Sequence, residues 1–309
     1  MNRFDQAARY AVKLDPFGLL TWWLTVPPER LCFRNWLDTR GIVFPGEKDR
    51  TNDTVAWLSD ANPAIEWAIP VEFSLSPDEA MFGRLLIYLG TIWLEKRPTA
   101  AGKERYSVGA LVVNLTGEGT TSRKMRFDES ELLVELTVAE RNLETFDAAI
   151  TLEQIGRGEL RRSALPWIPL MRRADEVGII EQWKALAVQE PDARLRGDYG
   201  GLALVFAEAA KRLPLWKTHL KEWNMIESQQ VLEWMAQGEA KGEARGEARG
   251  EARGETNSLL RLLEKRYGPV PADLHKVIRQ TQDLSRLRTW FDLALDAPSV
   301  TDFRKQAGI

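Results

Sequence analysis

The sequence predicts an α/β protein, in which a mixed sheet with a helix packed against it is followed by helical segments. Three observations lead to this class. Helical and strand-like hydrophobic periods occur in the order α, β, β, α, β, β over residues 4–136, and from about residue 144 only helical periods follow. The chain of 309 residues is 44% hydrophobic and has 12 tryptophans, which is enough apolar material for one sizeable core and a smaller unit.

The first elements are a helical segment and a hairpin. Pro27-Pro28 ends the helical pattern, and the composition of Ser59–Pro63 is typical of the turn in a hairpin. The patterns predict a helix over residues 4–25 with a break at Asp15-Pro16, a connector over 31–37, and strands over 49–58 and 65–74.

A helix is predicted directly after the second strand. Ser76 is a suitable N-cap, Pro77 suits the first helical position, and Glu79 completes a capping box. Arg84 and Tyr88 lie one turn apart on one face of this helix. Another face carries the apolar side chains that we expect in the core, namely Phe82, Leu85, Leu86, Leu89, Ile92 and Trp93.

Strand-like and then helical patterns follow. The apolar run Val108–Leu115 is typical of a strand covered on both faces, and residues 124–136 are also strand-like. Arg161-Arg162 and Arg172-Arg173 flank a stiff aromatic and proline-rich turn over 164–171, for which a contact with a phosphate backbone and solvated helix ends are both open. Helices are predicted over 146–155, 179–188, 202–213 and 216–235.

A tetrapeptide repeat, Gly-Glu-Ala-Lys followed by copies of Gly-Glu-Ala-Arg, occupies residues 238–255. On a helix its glutamates recur at i+4 and repel one another, while unlike charges stand two or six residues apart. Each glycine costs a helix about 1 kcal/mol relative to alanine, so an isolated helix is marginal. A second helix could approach the glycine line closely, so homo-oligomer formation through residues 238–256 and a solvated spacer are both open.

A small helical unit follows the repeat, because apolar residues with helical spacing stand on both sides of Gly268-Pro269. At about 50 residues it is close to the minimum size for a core of its own. The predicted parts of the chain are a core over 1–140, a helical extension over 141–237, a repeat linker or helix over 238–256 and a small helical domain over 257–309.

The second predicted strand carries a candidate metal site. Alternation places Glu72 and Ser74 on the face opposite its apolar side chains. A hairpin centred on Asn62-Pro63 places Asp53 directly opposite Glu72, so the two carboxylates can share one Mg²⁺ or Mn²⁺. A surface hairpin with scattered acidic residues is the plainer alternative. With Cys32 as the single cysteine and only two histidines, the sequence excludes an internal disulfide and a Cys/His zinc cluster.

A family resemblance rests on the order of these elements and on a few residues within them. Those residues are Asp53, Val71-Glu72-Phe73-Ser74, Arg84 and Tyr88. Together they resemble the PD-(D/E)XK nuclease superfamily, and most closely its branch of recombination-promoting nucleases, which are also labelled as transposases. The sequence from Leu259 to Phe303 is similar to a small domain of unknown function that often follows such nucleases, and Gly-Glu-Ala-Arg tracts commonly join the two.

The resemblance implies a restriction-endonuclease-like core that hydrolyses phosphodiester bonds in DNA. Asp53 and Glu72 match the two acids that bind Mg²⁺ in the superfamily. Ser74 stands where active members have Lys or Gln, and a serine hydroxyl cannot supply the same electrostatic stabilisation. Arg84 and Tyr88 are candidate donors from the adjacent helix, and packing or a surface position is their alternative role.

The expected function is therefore that of a Mg²⁺- or Mn²⁺-dependent DNA endonuclease of the recombination-promoting type. The alternative is a catalytically degenerate nuclease fold that acts as a DNA-binding or oligomeric assembly module. The net charge of −3 does not by itself indicate a nucleic-acid partner. We find no nucleophile elbow, phosphate-binding glycine loop or dinucleotide fingerprint. With no apparent export signal or membrane-spanning segment, a cytoplasmic location is expected.

Overall fold

The computed structural model describes residues 3–39, 54–60, 65–98, 104–223, 251–281 and 283–309. The chain divides into two compact units, Met1–Trp234 and Met235–Ile309. The first unit contains a mixed sheet with helices and the second is helical, so the predicted α/β class with a following helical region is confirmed. Among these residues, no helix is both long and apolar enough to span a membrane.

Two helices begin the chain, α1 over Arg3–Leu14 and α2 over Pro16–Leu24. Asp15 separates them at the predicted break, because its carboxylate accepts a hydrogen bond of 3.0 Å from the amide of Gly18 and so caps α2. Pro16 stands in the first turn of α2, where a backbone N–H would have no helical partner.

Eight strands form a main sheet and a separate hairpin in the described part of the chain. The strands are β1 over Leu31–Trp36, β2 over Val55–Asp60, β3 over Glu66–Ser74, β4 over Ser107–Val108, β5 over Leu111–Asn114, β6 over Arg123–Arg126, β7 over Leu133–Leu136 and β8 over Ala139–Asn142. The main sheet has the order β1-β2-β3-β5-β8, with β4 paired to β3. Its first three strands are antiparallel, whereas β4 and β5 are parallel to β3 and β8 is parallel to β5. The hairpin consists of β6 and β7.

The pairing of β2 with β3 has the register that the sequence predicts. Val55 lies opposite Pro70. The predicted pairing of Asp53 with Glu72 assumes this register. Asp53 itself lies outside the described residues. On β3, Phe73 packs against aromatic rings on one side of the sheet, and alternation places Glu72 on the other side.

Two segments of the sheet region differ from the prediction. The predicted connector over 31–37 is largely the edge strand β1, whose burial does not alternate and whose register shifts between Phe33 and Asn35. The predicted strand over 124–136 is the hairpin of β6 and β7, followed by the unpredicted strand β8. Nearly all residues of the hairpin strands are exposed, because the hairpin is not part of the main sheet.

Helix α3 covers Met81–Glu95 and begins later than the predicted cap at Ser76. The pairing of β3 with β5 continues past the strand ends, since the amide of Thr116 donates to the carbonyl of Leu75 at 2.9 Å. The chain therefore remains paired with β5 up to Leu75, and it bends at Leu75 and Ser76 without starting a helix. Asp78 accepts a hydrogen bond of 2.8 Å from the amide of Ala80 and forms the turn that precedes the helix.

The sheet covers a different stripe of α3 from the predicted one. The buried residues of α3 are Met81, Leu85, Tyr88, Leu89 and Ile92. Tyr88 therefore belongs to the core, whereas Leu86 and Trp93, which were expected there, are exposed. Apolar residues occur on neighbouring stripes of this helix, so their spacing alone does not decide which stripe packs.

Further helices build a layer on the side of the sheet that Phe73 faces. They are α4 over Ala148–Gly156, a 3₁₀ helix over Arg162–Leu170, α5 over Val177–Ala187, α6 over Ala193–Ala209 and α7 over Leu213–His219. Trp167 stacks between the rings of Phe73 and Phe206, with centroid distances of 5.9 and 4.8 Å. The 3₁₀ helix is the aromatic and proline-rich turn of the sequence, and burial of residues 163–171 excludes a phosphate contact through their side chains.

The second unit has a core of its own. Its helices are α8, whose described residues are 251–267, α9 over Ala272–Gln280, α10 over Leu284–Asp296 and α11 over Val300–Ala307. Leu263, Trp290 and Phe303 are central members of its buried cluster. Ala252 of the repeat also belongs to this cluster, while repeat residues 238–250 lie outside the described part of the chain.

Candidate functional site

Glu72 occupies the middle of the sheet on the face covered by α3. Its cross-strand neighbour on β5 is Val112, and the neighbour of Val112 on β8 is Glu140. Only 8% of Glu72 is exposed. A carboxylate this deeply buried is stabilised in its ionised form by neighbouring cations or hydrogen-bond donors.

Ser74 ends β3 on the same face, two residues beyond Glu72. Its hydroxyl donates a hydrogen bond of 2.7 Å to the carbonyl of Ser76. The side chain at this position is therefore short, uncharged and already engaged in a local turn, so it supplies no positive charge to the site.

The structure adds a polar row that the sequence did not reveal. Ser74 pairs with Asn114 on β5, and Asn114 pairs with Asn142 on β8. Asn114 is almost completely buried, and its amide nitrogen donates to Asn142 Oδ1 at 2.7 Å and to Glu140 Oε1 at 3.0 Å. Its amide oxygen is buried without a hydrogen-bond partner in the described structure. Such an orphaned acceptor is uncommon in a folded protein and is a candidate ligand atom.

The loop after β5 is held in place by hydrogen bonds with two side chains of β8, Glu140 and Asn142. The carboxylate of Glu140 accepts hydrogen bonds from the amide and the hydroxyl of Thr121, at 2.6 and 3.0 Å. Asn142 exchanges two hydrogen bonds with the backbone of Gly119, at 3.0 and 3.3 Å. These contacts fix the loop at the ends of the parallel strands, which is the edge where α/β sheets commonly bind ligands.

Arg84 and Tyr88 both come from α3 but have different surroundings. Arg84 forms an ion pair of 2.9 Å with Asp78, and its Nε is buried without a partner among the described atoms. Tyr88 packs in the cluster that contains Val112, the cross-strand neighbour of Glu72. The predicted donors therefore lie on the helix that covers the Glu72 face, with Arg84 partly neutralised and Tyr88 in the core.

A pocket of about 270 Å³ opens beside this polar row. Its lining includes Asp78, Phe82, Thr121, Arg123 and Glu140. The guanidinium of Arg123 lies 5.7 Å from the centre of the Phe82 ring and is the main cation in this lining. The pocket thus combines carboxylates, a cation and an aromatic wall at the carboxyl ends of β3, β5 and β8.

The predicted site residues are brought together in part. Glu72 and Ser74 share one face, and α3 brings Arg84 and Tyr88 to that face, while Asp53 is not among the described residues. Within the described ranges, no three or more His, Cys, Asp or Glu side chains lie close enough to hold a metal ion. The sequence did not predict the polar row, because β5 and β8 are far apart in the chain; the residues missed are Asn114, Glu140 and Asn142. The one available signal was Asn114, a polar residue at the end of an otherwise apolar strand.

No family model matches this chain, and comparisons with curated proteins and with solved structures find no significant match.

Proposed function

We propose that this protein is a metal-dependent DNA endonuclease of the recombination-promoting type, related to the PD-(D/E)XK nucleases, in which Asp53 and Glu72 bind Mg²⁺ or Mn²⁺. One observation carries the proposal. Glu72 is a nearly buried carboxylate on β3 of a mixed sheet, and β2 pairs with β3 in the register that the predicted partnership of Asp53 with Glu72 assumes.

The proposed ligands, Asp53, Glu72 and the amide oxygen of Asn114, are of the chemical type that a hard divalent cation takes. Carboxylate and amide oxygens are its preferred ligands, and the orphaned amide oxygen of Asn114 stands diagonally across from Glu72 on the neighbouring strand. When bound, such a cation activates water and stabilises the negative charge that develops on a phosphodiester. Glu72 would hold the cation, and burial under α3 would keep bulk water from competing with its ligands.

The chain's other groups have roles that follow from their charges. Ser74 is uncharged and its hydroxyl donates to Ser76. The positive charge that stabilises a bound phosphate would therefore come from a side chain of α3 or of the pocket. Arg84 and Arg123 are the candidate cations, and Arg84 becomes more available if Asp78 moves away from it. Tyr88 would hold α3 over the face that carries Glu72, because it packs in the same cluster as Val112, the cross-strand neighbour of Glu72.

Nicking of supercoiled plasmid DNA with Mg²⁺ or Mn²⁺ tests this function. We expect the natural protein to convert plasmid to the open-circular form, and Asp53→Asn and Glu72→Gln to abolish this conversion. The exposed Glu118→Gln, outside the proposed ligand set, is the matched control and should retain activity. Titration of Mn²⁺ followed by the electron paramagnetic resonance of the free ion reports binding separately. Equal nicking by the natural protein and Glu72→Gln rejects the assignment.

The engaged hydroxyl of Ser74 favours a second candidate, a catalytically degenerate nuclease fold that binds DNA or serves assembly. Fluorescence anisotropy with a labelled duplex, in EDTA and in Mg²⁺, distinguishes the two. Binding in both buffers without any cleavage supports this second function. Light scattering of the chain without residues 238–309 tests the assembly part, and an unchanged oligomeric state removes the repeat from the proposal.

A further inference from the structure

A second pocket lies on the side of the main sheet that faces away from Glu72. Arg141 on β8 is the cross-strand neighbour of Val113 on β5, which is in turn the neighbour of Phe73 on β3. Because cross-strand neighbours point to the same side of a sheet, Arg141 lies on the side of Phe73 and the helical layer. It lines a pocket of about 710 Å³, and sites for small molecules typically measure about 300–1,000 Å³.

Three arginines from separate segments of the chain line this pocket. They are Arg141 on β8, and Arg161 and Arg172 on the two sides of the buried aromatic and proline-rich turn. Two backbone hydrogen bonds fix Arg172 beside the start of α4, since its amide donates to the carbonyl of Phe146 at 2.9 Å and its carbonyl accepts from the amide of Ala148 at 3.1 Å. One arginine from each side of the turn therefore reaches the same pocket as Arg141.

Two of these arginines have no acidic partner. Within the described part of the chain, Arg141 and Arg172 form no ion pair, and Arg141 donates a hydrogen bond of 2.7 Å to the carbonyl of Glu140. Arg161, in contrast, forms an ion pair of 3.2 Å with Asp15. Burial lowers the pKa of Arg141. A half-buried cation without an acid beside it is stabilised by a bound anion, which replaces the interactions that the cation has lost with water.

The two carboxylates in the lining, Asp147 and Glu159, have partners of their own. Asp147 accepts hydrogen bonds of 2.9 and 3.3 Å from amides in the first turn of α4, and it lies 3.7 Å from Arg173. Glu159 lies 3.9 Å from Arg157. Both of these partner arginines lie outside the lining of the pocket. The charges of the two arginines without ion pairs are therefore left for a ligand.

The wall of the pocket includes three aromatic rings, each of them partly exposed. Phe17 and Trp22 come from α2, and the ring of Phe146 packs edge-to-face against Trp22 at a centroid distance of 5.6 Å. The guanidinium of Arg161 lies 5.0 Å from the centre of the Phe17 ring. Aromatic faces on which a base can stack, beside arginines that bind phosphate, are the usual means by which proteins bind nucleotides.

The charge of the site favours a terminal phosphate over other anions. A phosphomonoester has a charge of about −1.5 to −2 at pH 7 and three acceptor oxygens, which matches two guanidinium groups without ion pairs. A carboxylate or an internal phosphodiester has a single negative charge and would leave one of the two arginines uncompensated. A nucleoside monophosphate combines the favoured phosphate with an aromatic base.

We propose that this pocket binds a nucleoside monophosphate, with its phosphate held by Arg141 and Arg172 and its base against the aromatic wall. A free nucleotide and the phosphorylated end of a nucleic-acid strand both present this group. The pocket and Glu72 lie on opposite sides of the sheet, so the proposal does not depend on the function proposed for Glu72.

Isothermal titration calorimetry of the full chain tests the proposal. The titrations contain EDTA, so that no metal ion contributes to binding. We expect AMP to bind at least tenfold more tightly than adenosine, which lacks the phosphate, and than ribose 5-phosphate and inorganic phosphate, which lack the base. Equal binding of AMP and inorganic phosphate overturns the proposal, and so does the absence of AMP binding.

Competition with short single strands distinguishes the two sources of the ligand. Displacement of AMP by a strand with a 5′-phosphate, but not by the same strand with a 5′-hydroxyl, supports a strand end as the ligand. Displacement by neither strand supports a free nucleotide. Equal displacement by both strands overturns the assignment of a terminal phosphate.

Variants of the two arginines locate the site. Arg141→Gln and Arg172→Gln should each raise the dissociation constant of AMP by tenfold or more, because each removes charged hydrogen bonds to the phosphate. The control is Arg126→Gln on the exposed strand β6, which removes the same charge outside the pocket and should leave the constant unchanged. Because Arg172 is exposed and has no ion pair among the described residues, its replacement should not alter the melting temperature. Unchanged AMP binding by both pocket variants overturns the proposal.

Saturation-transfer-difference NMR of AMP with the natural protein tests the position of the base. We expect the strongest transfer to the two protons of the adenine ring, because the base lies against Trp22 and Phe146. Transfer that is strongest at the ribose protons overturns the proposed position of the base.

Discussion

Replacement of Asn114 with alanine tests the energetic importance of the polar row. The change removes a hydrogen bond of 3.0 Å to the carboxylate of Glu140 and one of 2.7 Å to Asn142. The first, with a charged acceptor, contributes about 2 kcal/mol and the second about 1 kcal/mol. The change also removes the orphaned amide oxygen, whose burial costs about 1 kcal/mol. We therefore expect the free energy of unfolding to fall by about 2 kcal/mol.

Urea unfolding followed by tryptophan fluorescence measures this change. Eleven of the 12 tryptophans belong to the first unit, so the signal reports mainly on the unit that contains Asn114. For a unit of this size, the expected loss corresponds to a melting temperature lower by about 4–8 °C. The midpoint should move without a change in the slope of the transition.

The control is Gln182→Ala on the exposed face of α5, which also removes a side-chain amide and should change the free energy of unfolding by less than about 0.5 kcal/mol. An Asn114→Ala protein as stable as the natural one, beside a neutral control, refutes the reasoning. It would mean that burying the amide group costs as much as its two hydrogen bonds contribute.

Three further predictions concern the first unit. Trp167→Ala should lower the free energy of unfolding by about 3–5 kcal/mol in urea, because the ring is fully buried between Phe73 and Phe206; a loss below about 1 kcal/mol would contradict this packing. Asp15→Ala should cost about 2 kcal/mol in the same assay, since the carboxylate caps α2 and accepts a hydrogen bond of 2.8 Å from Ser163; Asp15→Asn should cost less. Burial raises the pKa of Tyr106 from 10.0 to about 12, and the carboxylate of Glu66 adds to the rise. The folded state thus holds this proton more tightly than the unfolded chain, so the associated stability is present below pH 10 and is lost as the pH rises from 10 toward 12. Tyr106→Phe should lose less stability than the natural protein over that range, and equal losses would contradict the assignment.

Local patterns were reliable where one periodicity and one turn determine the result. The alternation along β3 and the turn composition after β2 predicted both the pairing and its register, because a slip of one residue would turn Phe73 away from the core. The break at Asp15 was equally local, since a side chain three residues before Gly18 caps the helix.

The start of α3 shows where local reasoning fails. Ser76 and Pro77 have the composition of a helix start, but the backbone of Leu75 pairs with Thr116, which is far away in the sequence. This tertiary hydrogen bond keeps the predicted start out of a helix, and α3 begins only at Met81. The same cause explains Tyr88, because the sheet selects which stripe of α3 is buried.

The sequence by itself determined the α/β class, the hairpin register and the helical second unit, because these depend on apolar periods and turn residues close together in the chain. Only the tertiary structure decided how deeply Glu72 is buried, and only it brought Ser74, Asn114 and Asn142 together in one polar row. Parallel strands bring residues from distant segments side by side, and the order in which they pair is not written in any local pattern.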